Sequence, residues 1–227
     1  MKFLAIETSS NACSVAVQNG DDIIENHVIK PREHTKILLP MIRQSLGEAA
    51  LEPTDLDAVI LGNGPGSFIG MRIGASVAQG ICYGAGLKIV PISSLAAVAA
   101  EVMHKEGAES VVVAQDARMG EIYVGRFMQE GDGLPCLVGE EEICAVGTIV
   151  DIASGSTAAG HAWQKYDELV VGNESSIASV SAFSLPRASY LLSSGKARYE
   201  CGGAILPEAL IPAYLRTKVA EVPRDMR

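Results

Sequence analysis

KFLAIETSSNACSVAVQNGDDIIENHVI, residues 2–29, is where the architecture is decided. It holds three short runs rich in β-branched and apolar residues: KFLAIE (2–7), CSVAVQ (13–18) and IIENHVI (23–29). The polar turn TSSNA joins the first two, and NGDD (19–22) joins the second pair. Asn-Gly is a hairpin signal because it accepts the positive φ angles of a two-residue turn. The stretch predicts three consecutive strands in an antiparallel meander.

The period then changes. In EHTKILLPMIRQSLGEAAL (33–51), Leu38, Leu39, Ile42 and Leu46 recur at helical spacing, and Pro40 predicts a kink or a later start. LDAVILG (56–62) reads as a buried strand, followed by a glycine-rich turn and a helix over roughly 70–83. KIVPIS (88–93) is a strand and SLAAVAAEVMHKEG (94–107) a helix. The order β-β-β-α-β-α-β-α implies an α/β fold with a parallel section of sheet covered by helices. Strands begin afresh with SVVVAQDAR (110–118) and EIYVGRFMQ (121–129). CLVGEEEI (136–143) predicts a strand, AVGTIVDIA (145–153) a short helix, and TAAGHA (157–162) and ELVVG (168–172) small strands. SAFSLPRASYLLSSGKA (181–197) reads as mostly helical, and the last residues as loose. Two strand-led lobes are expected, 1–104 and 105–227.

The bulk composition narrows the function. The 227 residues are 48% hydrophobic, enough for a sizeable core. No apolar run reaches the length of a membrane span, and the amino terminus reads as a first strand rather than a leader, so a cytoplasmic protein without a membrane partner is expected. Cys13, Cys82, Cys136, Cys144 and Cys201 form no C-x-x-C pair and read as reduced, mostly buried thiols. Residues 1–100 carry 7 basic and 9 acidic side chains, a net of −2; residues 101–227 carry 11 and 18, a net of −7. An acidic chain with no basic stripe is poorly built to hold nucleic acid by itself.

Most catalytic motifs fail. GNGPGSFIGMRIG (62–74) is not a P-loop, because no lysine lies between Lys36 and Lys88. It is not G-x-G-x-x-G either: Gly64 and Gly66 fit, but Ile69 takes the third glycine position. Two readings stay open, a backbone cradle for phosphate and a tight strand-to-helix turn. Arg72 is placed to reach an anion or a partner's carboxylate. Two rows of small residues run along the following helix, Gly70/Gly74/Ala78 and Ser76/Gly80/Gly84. Glycine inside a helix costs about 1 kcal/mol relative to alanine, so close approach of the chain's own sheet, of another chain, or of one on each face is expected to offset it. The four histidines form no H-E-x-x-H or H-x-x-x-H, and no G-x-S-x-G is present.

IETSSNACSVAV (6–17), LLPMI (38–42), LDAVILGNGPGSFIGMRIG (56–74), DARMGEIYVG (116–125) and PAYLR (212–216) together resemble the TsaB family, formerly YeaZ. The resemblance implies the two-lobed fold of the actin, Hsp70 and sugar-kinase superfamily (ASKHA, ribonuclease H-like), with β-β-β-α-β-α lobes and the second lobe reduced. It implies a non-catalytic accessory subunit, a paralogue of the TsaD (Kae1, glycoprotease-like) enzymes. With TsaD and the ATPase TsaE, such a subunit supports transfer of a threonylcarbamoyl group from threonylcarbamoyl-AMP to N6 of adenosine 37 in tRNAs that read codons starting with A. The TsaD acidic pair after the first strand is replaced by Asn11 and Ala12, and its H-x-x-x-H by Ser94 and Val98. The resemblance implies a partner face on helices 33–50 and 70–84, with Leu38, Leu39, Ile42, Arg72, Gly74 and Gly80, and a homodimer when the chain is alone. tRNA would be met only through the complex. Thr8, Ser9 and Ser10 are the remnant of the superfamily's phosphate hairpin, with no intrinsic cofactor and ATP or ADP expected only at the partner interface. The alternatives are an active ATPase or kinase, which needs a second phosphate loop at SGST (154–157) or CGGAI (201–205), and a metal-dependent protease, against which the missing histidine pair argues.

Overall fold

The computed structural model describes residues 1–147 and 151–216. The predicted meander is present as β1 (Lys2–Glu7), β2 (Ala12–Asn19) and β3 (Asp22–Ile29), paired antiparallel in turn. Gly20 supplies the positive φ (65°) of the hairpin loop between Asn19 and Asp22. α1 (His34–Glu48) leads to β4 (Ala58–Gly62), α2 (Phe68–Ala85), β5 (Lys88–Ile92) and α3 (Ser94–Glu106). β4 joins β1 in parallel and β5 joins β4, giving the order β3-β2-β1-β4-β5. Pro40 neither delays nor divides α1, which begins ahead of it at His34. The proline lies on the exposed side, while Leu38, Met41, Ile42 and Leu46 bury a continuous stripe on the sheet. That burial outweighs the one backbone hydrogen bond the proline removes.

The second sheet repeats the plan. β6 (Ser110–Arg118) and β7 (Glu121–Gln129) pair antiparallel, and β8 (Pro135–Leu137) and β9 (Glu142–Ala145) both pair with β7. β10 (Ser156–Ala159) and β11 (Ile177–Val180) add in parallel beyond β6, for the order β11-β10-β6-β7-β8. Both sheets place an antiparallel three-strand meander beside two parallel strands: β3-β2-β1 with β4 and β5 in the first, and β8-β7-β6 with β10 and β11 in the second, where β9 pairs with β7 off this path. The crossover between β4 and β5 is the 18-residue α2; between β10 and β11 stand only α4 (His161–Lys165) and α5 (Asp167–Val171), five residues each. The second lobe is reduced in that sense.

α3 is wedged between the sheets. Its Ala97 packs with Phe3, Ala5, Ile60 and Val90 of the first sheet, while Leu95, Val98, Val102 and Met103 pack with Val111, Val113 and Phe127 of the second. Ser93 caps it, accepting from the amides of Leu95 and Ala96, and Gly107 closes it in the left-handed conformation.

Several local expectations are corrected. CLVGEEEI divides into β8 and β9. Of AVGTIVDIA, Ala145 ends β9 and residues 146–147 turn; its centre, 148–150, lies outside the described residues, as does the tail beyond 216. TAAGHA is a strand only to Ala159, and His161 and Ala162 open α4. ELVVG is helical: Leu169 alone of the run is fully buried, and Asp167 and Glu168 favour a helix first turn. A run of three apolar residues has no period with which to choose. In 181–197 the helix α6 (Leu192–Glu200) starts later than expected, after a 3₁₀ turn at Ala188–Leu191. From Ala188 onward the chain returns to the first sheet: Ala188, Leu191 and Leu192 pack against Phe3 and Ile60, and Ile205 bridges Ile89 of β5. CGGAI therefore lies against the first lobe. Among the described residues no helix is long and apolar enough to cross a membrane.

Candidate functional site

The glycine loop closes on the chain itself. Asn63 donates its amide to Ile92 O (2.8 Å), Gly64 to Ser94 Oγ (3.1 Å) and Ser67 to Ser9 O (2.6 Å). Ser67 caps α2 by accepting from the Gly70 amide (3.2 Å). Four amides of the loop and first turn, those of Asn63, Gly64, Ser67 and Gly70, are thus spent on internal partners. The glycines permit the close approach. A Cβ on Gly66 would lie 2.4 Å from Ser9 O, one on Gly70 2.1 Å from Thr8 O, and one on Gly74 2.4 Å from Thr8 Oγ1. The turn between β1 and β2 is thus pressed onto the start of α2, and the tight-turn reading stands.

The turn expected to be a remnant phosphate hairpin, residues 8–10, is sealed by the same contacts. Thr8 is fully buried and its hydroxyl donates to Gly70 O (2.8 Å); Ser9 is buried with its carbonyl on Ser67. Only Ser10 keeps a partly accessible side chain, and its hydroxyl accepts from the Ala12 amide (3.1 Å). Behind the hairpin sits Glu7, which sequence reasoning passed over as the end of a strand. Its carboxylate accepts from the Ser9 amide (2.6 Å) and from Ser94 Oγ (2.6 Å). Burial pushes it above the ordinary carboxylate range, although those hydrogen bonds pull the other way. A Cβ on Gly62 would lie 1.9 Å from Glu7 Oε2, so Gly62 makes room for this carboxyl. Ser94 and Val98, where the resemblance leads one to expect the TsaD histidines, are a hydrogen-bonding hydroxyl and a core valine. Among the described residues no three His, Cys, Asp or Glu side chains gather as metal ligands.

The expected partner residues fall into two groups. Leu38 and Ile42 are buried in the first-lobe core, and Gly74 faces Thr8 and Leu61; these three serve the chain's own packing and offer nothing to a partner. The amphipathic face of α1 points inward, because its own sheet is the nearest apolar surface. Leu39 (54% exposed), Arg72 and Gly80 are on the surface. Among the described residues nothing lies within 4 Å of a Cβ on Gly80 or Gly84, so their packing has no use for either glycine. Around α2, Ile73, Val77 and Ile81 pack toward the core, and Arg72, Gln79 and Tyr83 meet the carboxy-terminal segment at Tyr214, Pro207 and Glu208. Ile69, Ser76, Gly80 and Gly84 remain on the open side.

A half-buried ionic joint, also missed, links the segment ahead of the 3₁₀ turn to the meander. Arg187 reaches Glu25 Oε2 of β3 with Nη2 (2.6 Å) and Nε (3.0 Å), and Ser14 Oγ (3.1 Å) and the Ser189 amide (3.0 Å) donate to Oε1. Burial pushes Glu25 up, but the hydrogen bonds and charge of Arg187 and the Ser189 bonds outweigh it and hold the carboxyl low. Glu101 of α3 stands 4.0 Å from the same guanidinium, and burial pushes it up to about 7. Glu25 and Arg187 are 162 residues apart, so no local pattern announces them. The thiols are also less uniform than expected: Cys13 and Cys82 are buried, Cys136 and Cys144 half-buried, and Cys201 exposed.

Comparison with known proteins places this geometry. The family model for TsaD, tRNA N6-adenosine threonylcarbamoyltransferase, matches residues 23–200. The tRNA threonylcarbamoyladenosine biosynthesis protein TsaB of Escherichia coli (strain K12) is 35% identical over 97% of this chain and 96% of its own length. Its namesake in Haemophilus influenzae (strain KW20 / Rd) is 33% identical over 96% and 95%. A crystal structure of a Pseudomonas aeruginosa protein described as similar to peptidase YeaZ superposes with a TM-score of 0.88 at 32% identity, covering 95% of this chain and 99% of that one. By sequence across nearly its whole length and by structure, the chain belongs to the TsaB family, within the wider group that the TsaD model describes.

Proposed function

We propose that this protein is a non-catalytic accessory subunit in tRNA threonylcarbamoyladenosine synthesis. It binds TsaD, with TsaE, through its first lobe (residues 1–104), and so supports transfer of the threonylcarbamoyl group to N6 of adenosine 37. The observation that carries this reading is the open side of α2. Gly80 and Gly84 cost the helix about 1 kcal/mol each relative to alanine and, among the described residues, nothing lies within 4 Å of a Cβ added to either, while Leu39 of α1 and Ile69 of α2 are also exposed. A surface that keeps glycine where its own fold needs none is suited to a helix packed closely from outside. The sealed glycine loop and the hydrogen-bonded hydroxyl at Ser94 support the non-catalytic half of the reading. The chain alone pairs with itself through this face, holds no cofactor of its own, and meets ATP or ADP only where a partner completes the site.

The test is association in solution. Light scattering of the chain mixed with TsaD is expected to show a complex that Gly80→Arg weakens while circular dichroism and melting stay as in the wild type. Gly74→Arg is unsuitable, because it strikes Thr8 inside the fold. A Gly80→Arg chain that pairs normally overturns the assignment of the face.

A further inference from the structure

The end of α2 nearest the glycine loop carries a preset cation. The Arg72 guanidinium carbon lies 3.8 Å from the centre of the Phe68 ring, and Nε donates to the Tyr214 hydroxyl (2.9 Å). The two rings contact each other with centroids 5.4 Å apart. Tyr214 is held in turn by the carboxy-terminal segment, where Asn63 Nδ2 donates to Ile211 O (3.0 Å) and Ala213 N to Asn63 O (3.0 Å). Two rings and a hydroxyl therefore orient one arginine. Among the described residues its two terminal nitrogens donate to no acceptor and it forms no ion pair. Ile69, three residues before Arg72, and Ile211, three residues before Tyr214, are both more than two-thirds exposed.

The geometry points to Arg72 as the anchor that takes a carboxylate from the partner protein, an Asp or Glu flanked by apolar side chains that cover Ile69 and Ile211. This inference rests on the accessory-subunit reading and names the chemistry of its partner. A guanidinium fork matches a carboxylate with two parallel hydrogen bonds, and stacking fixes the fork beforehand, so little side-chain entropy remains to be lost on binding. In a chain of net charge −9 an unpaired, oriented cation also favours an acidic partner segment over the acidic surface of its own kind. A phosphate suits the place less well. The Asn63, Gly64 and Ser67 amides are already committed, no lysine lies between Lys36 and Lys88, and the residues next to Arg72 and Tyr214 in the chain include the exposed Ile69 and Ile211.

Titration calorimetry of the chain with TsaD, at low and at raised salt, tests this. Arg72→Ala is expected to weaken association about tenfold, as interface arginines do. Arg72→Lys keeps the charge but not the fork and is expected to restore only part; Arg72→Glu is expected to lose more than Arg72→Ala. Tyr214→Phe keeps the stacking and removes the orienting hydroxyl, for a few-fold loss. Raised salt should weaken the wild type more than Arg72→Ala. Arg72 is exposed, and unchanged melting of each variant is the folding control. Equal affinity of wild type and Arg72→Ala overturns the anchor while leaving the accessory role intact. A loss confined to ATP or tRNA binding by the assembled complex overturns it in favour of phosphate. No association of the wild type with TsaD overturns both readings.

Discussion

Two glycines of one helix, six residues apart, should answer the same substitution with opposite signs. On α2 six residues turn the chain by about 240°, so Gly74 and Gly80 face different surroundings. At Gly80 an added methyl meets nothing within 4 Å among the described residues, and Gly80→Ala should stabilise the isolated chain by roughly the helix-propensity difference, about 1 kcal/mol. At Gly74 the same methyl lies 2.4 Å from Thr8 Oγ1 and 3.3 Å from Leu61 Cδ1. Thr8 is fully buried and tied to Gly70 O at 2.8 Å, so it yields only by breaking that bond. Overpacking of about 1–3 kcal/mol together with a lost hydrogen bond of about 1 kcal/mol exceeds the propensity gain. Gly74→Ala should therefore be destabilising by about 1–3 kcal/mol, some 2–4 kcal/mol apart from Gly80→Ala. For a chain of this length each kcal/mol moves the melting point by about 2–4 °C, so the two variants should differ by on the order of 10 °C. Melting and urea unfolding followed by far-ultraviolet circular dichroism, at concentrations where scattering shows monomer, read this directly. If both variants shift together, or Gly80→Ala destabilises, the division of α2 into an inner and an open side is wrong.

Glu101 gives a pH signature. Its carboxyl is raised from 4.5 to about 7 in the folded chain, so the native state binds the extra proton and stability falls as pH rises between those values. The loss should reach about 3 kcal/mol by pH 7. Glu7 contributes with the same sign, so the measurement is the difference in slope between wild type and Glu101→Gln; parallel slopes would refute it. Cys13 and Cys82 are pushed up to about 12 by burial, so with a thiol reagent near pH 8 they should react only after unfolding, whereas exposed Cys201 reacts in the native protein. Early labelling of Cys13 or Cys82 by mass spectrometry would contradict their burial.

The meander was legible because each strand end carries its own chemistry, and β6 and β7 match SVVVAQDAR and EIYVGRFMQ residue for residue. Runs too short for a period were not, as ELVVG shows. The candidate site was legible as a segment but not as a surface. Spacing places Leu38, Ile42 and Gly74 on amphipathic or small-residue rows, yet only the sheet beneath decides which row is inside. Leu39, Arg72 and Gly80 are the expected residues left over after that choice. Glu7 was hidden because β1 is buried on both faces and gives no alternation to break. Its signal lay in Gly62, a glycine at a position where a side chain would strike the carboxyl. The Glu25–Arg187–Glu101 joint has no local signature at all, since its members come from β3, the approach to the 3₁₀ turn and α3.

The accessory role is tested most directly by following threonylcarbamoyladenosine on tRNA in a mixture of TsaD, TsaE, threonylcarbamoyl-AMP and tRNA, with this chain present, omitted, or supplied alone. Product is expected only when the chain and TsaD are present together. Product from the chain alone, or undiminished product without it, would contradict a non-catalytic subunit on which the reaction depends.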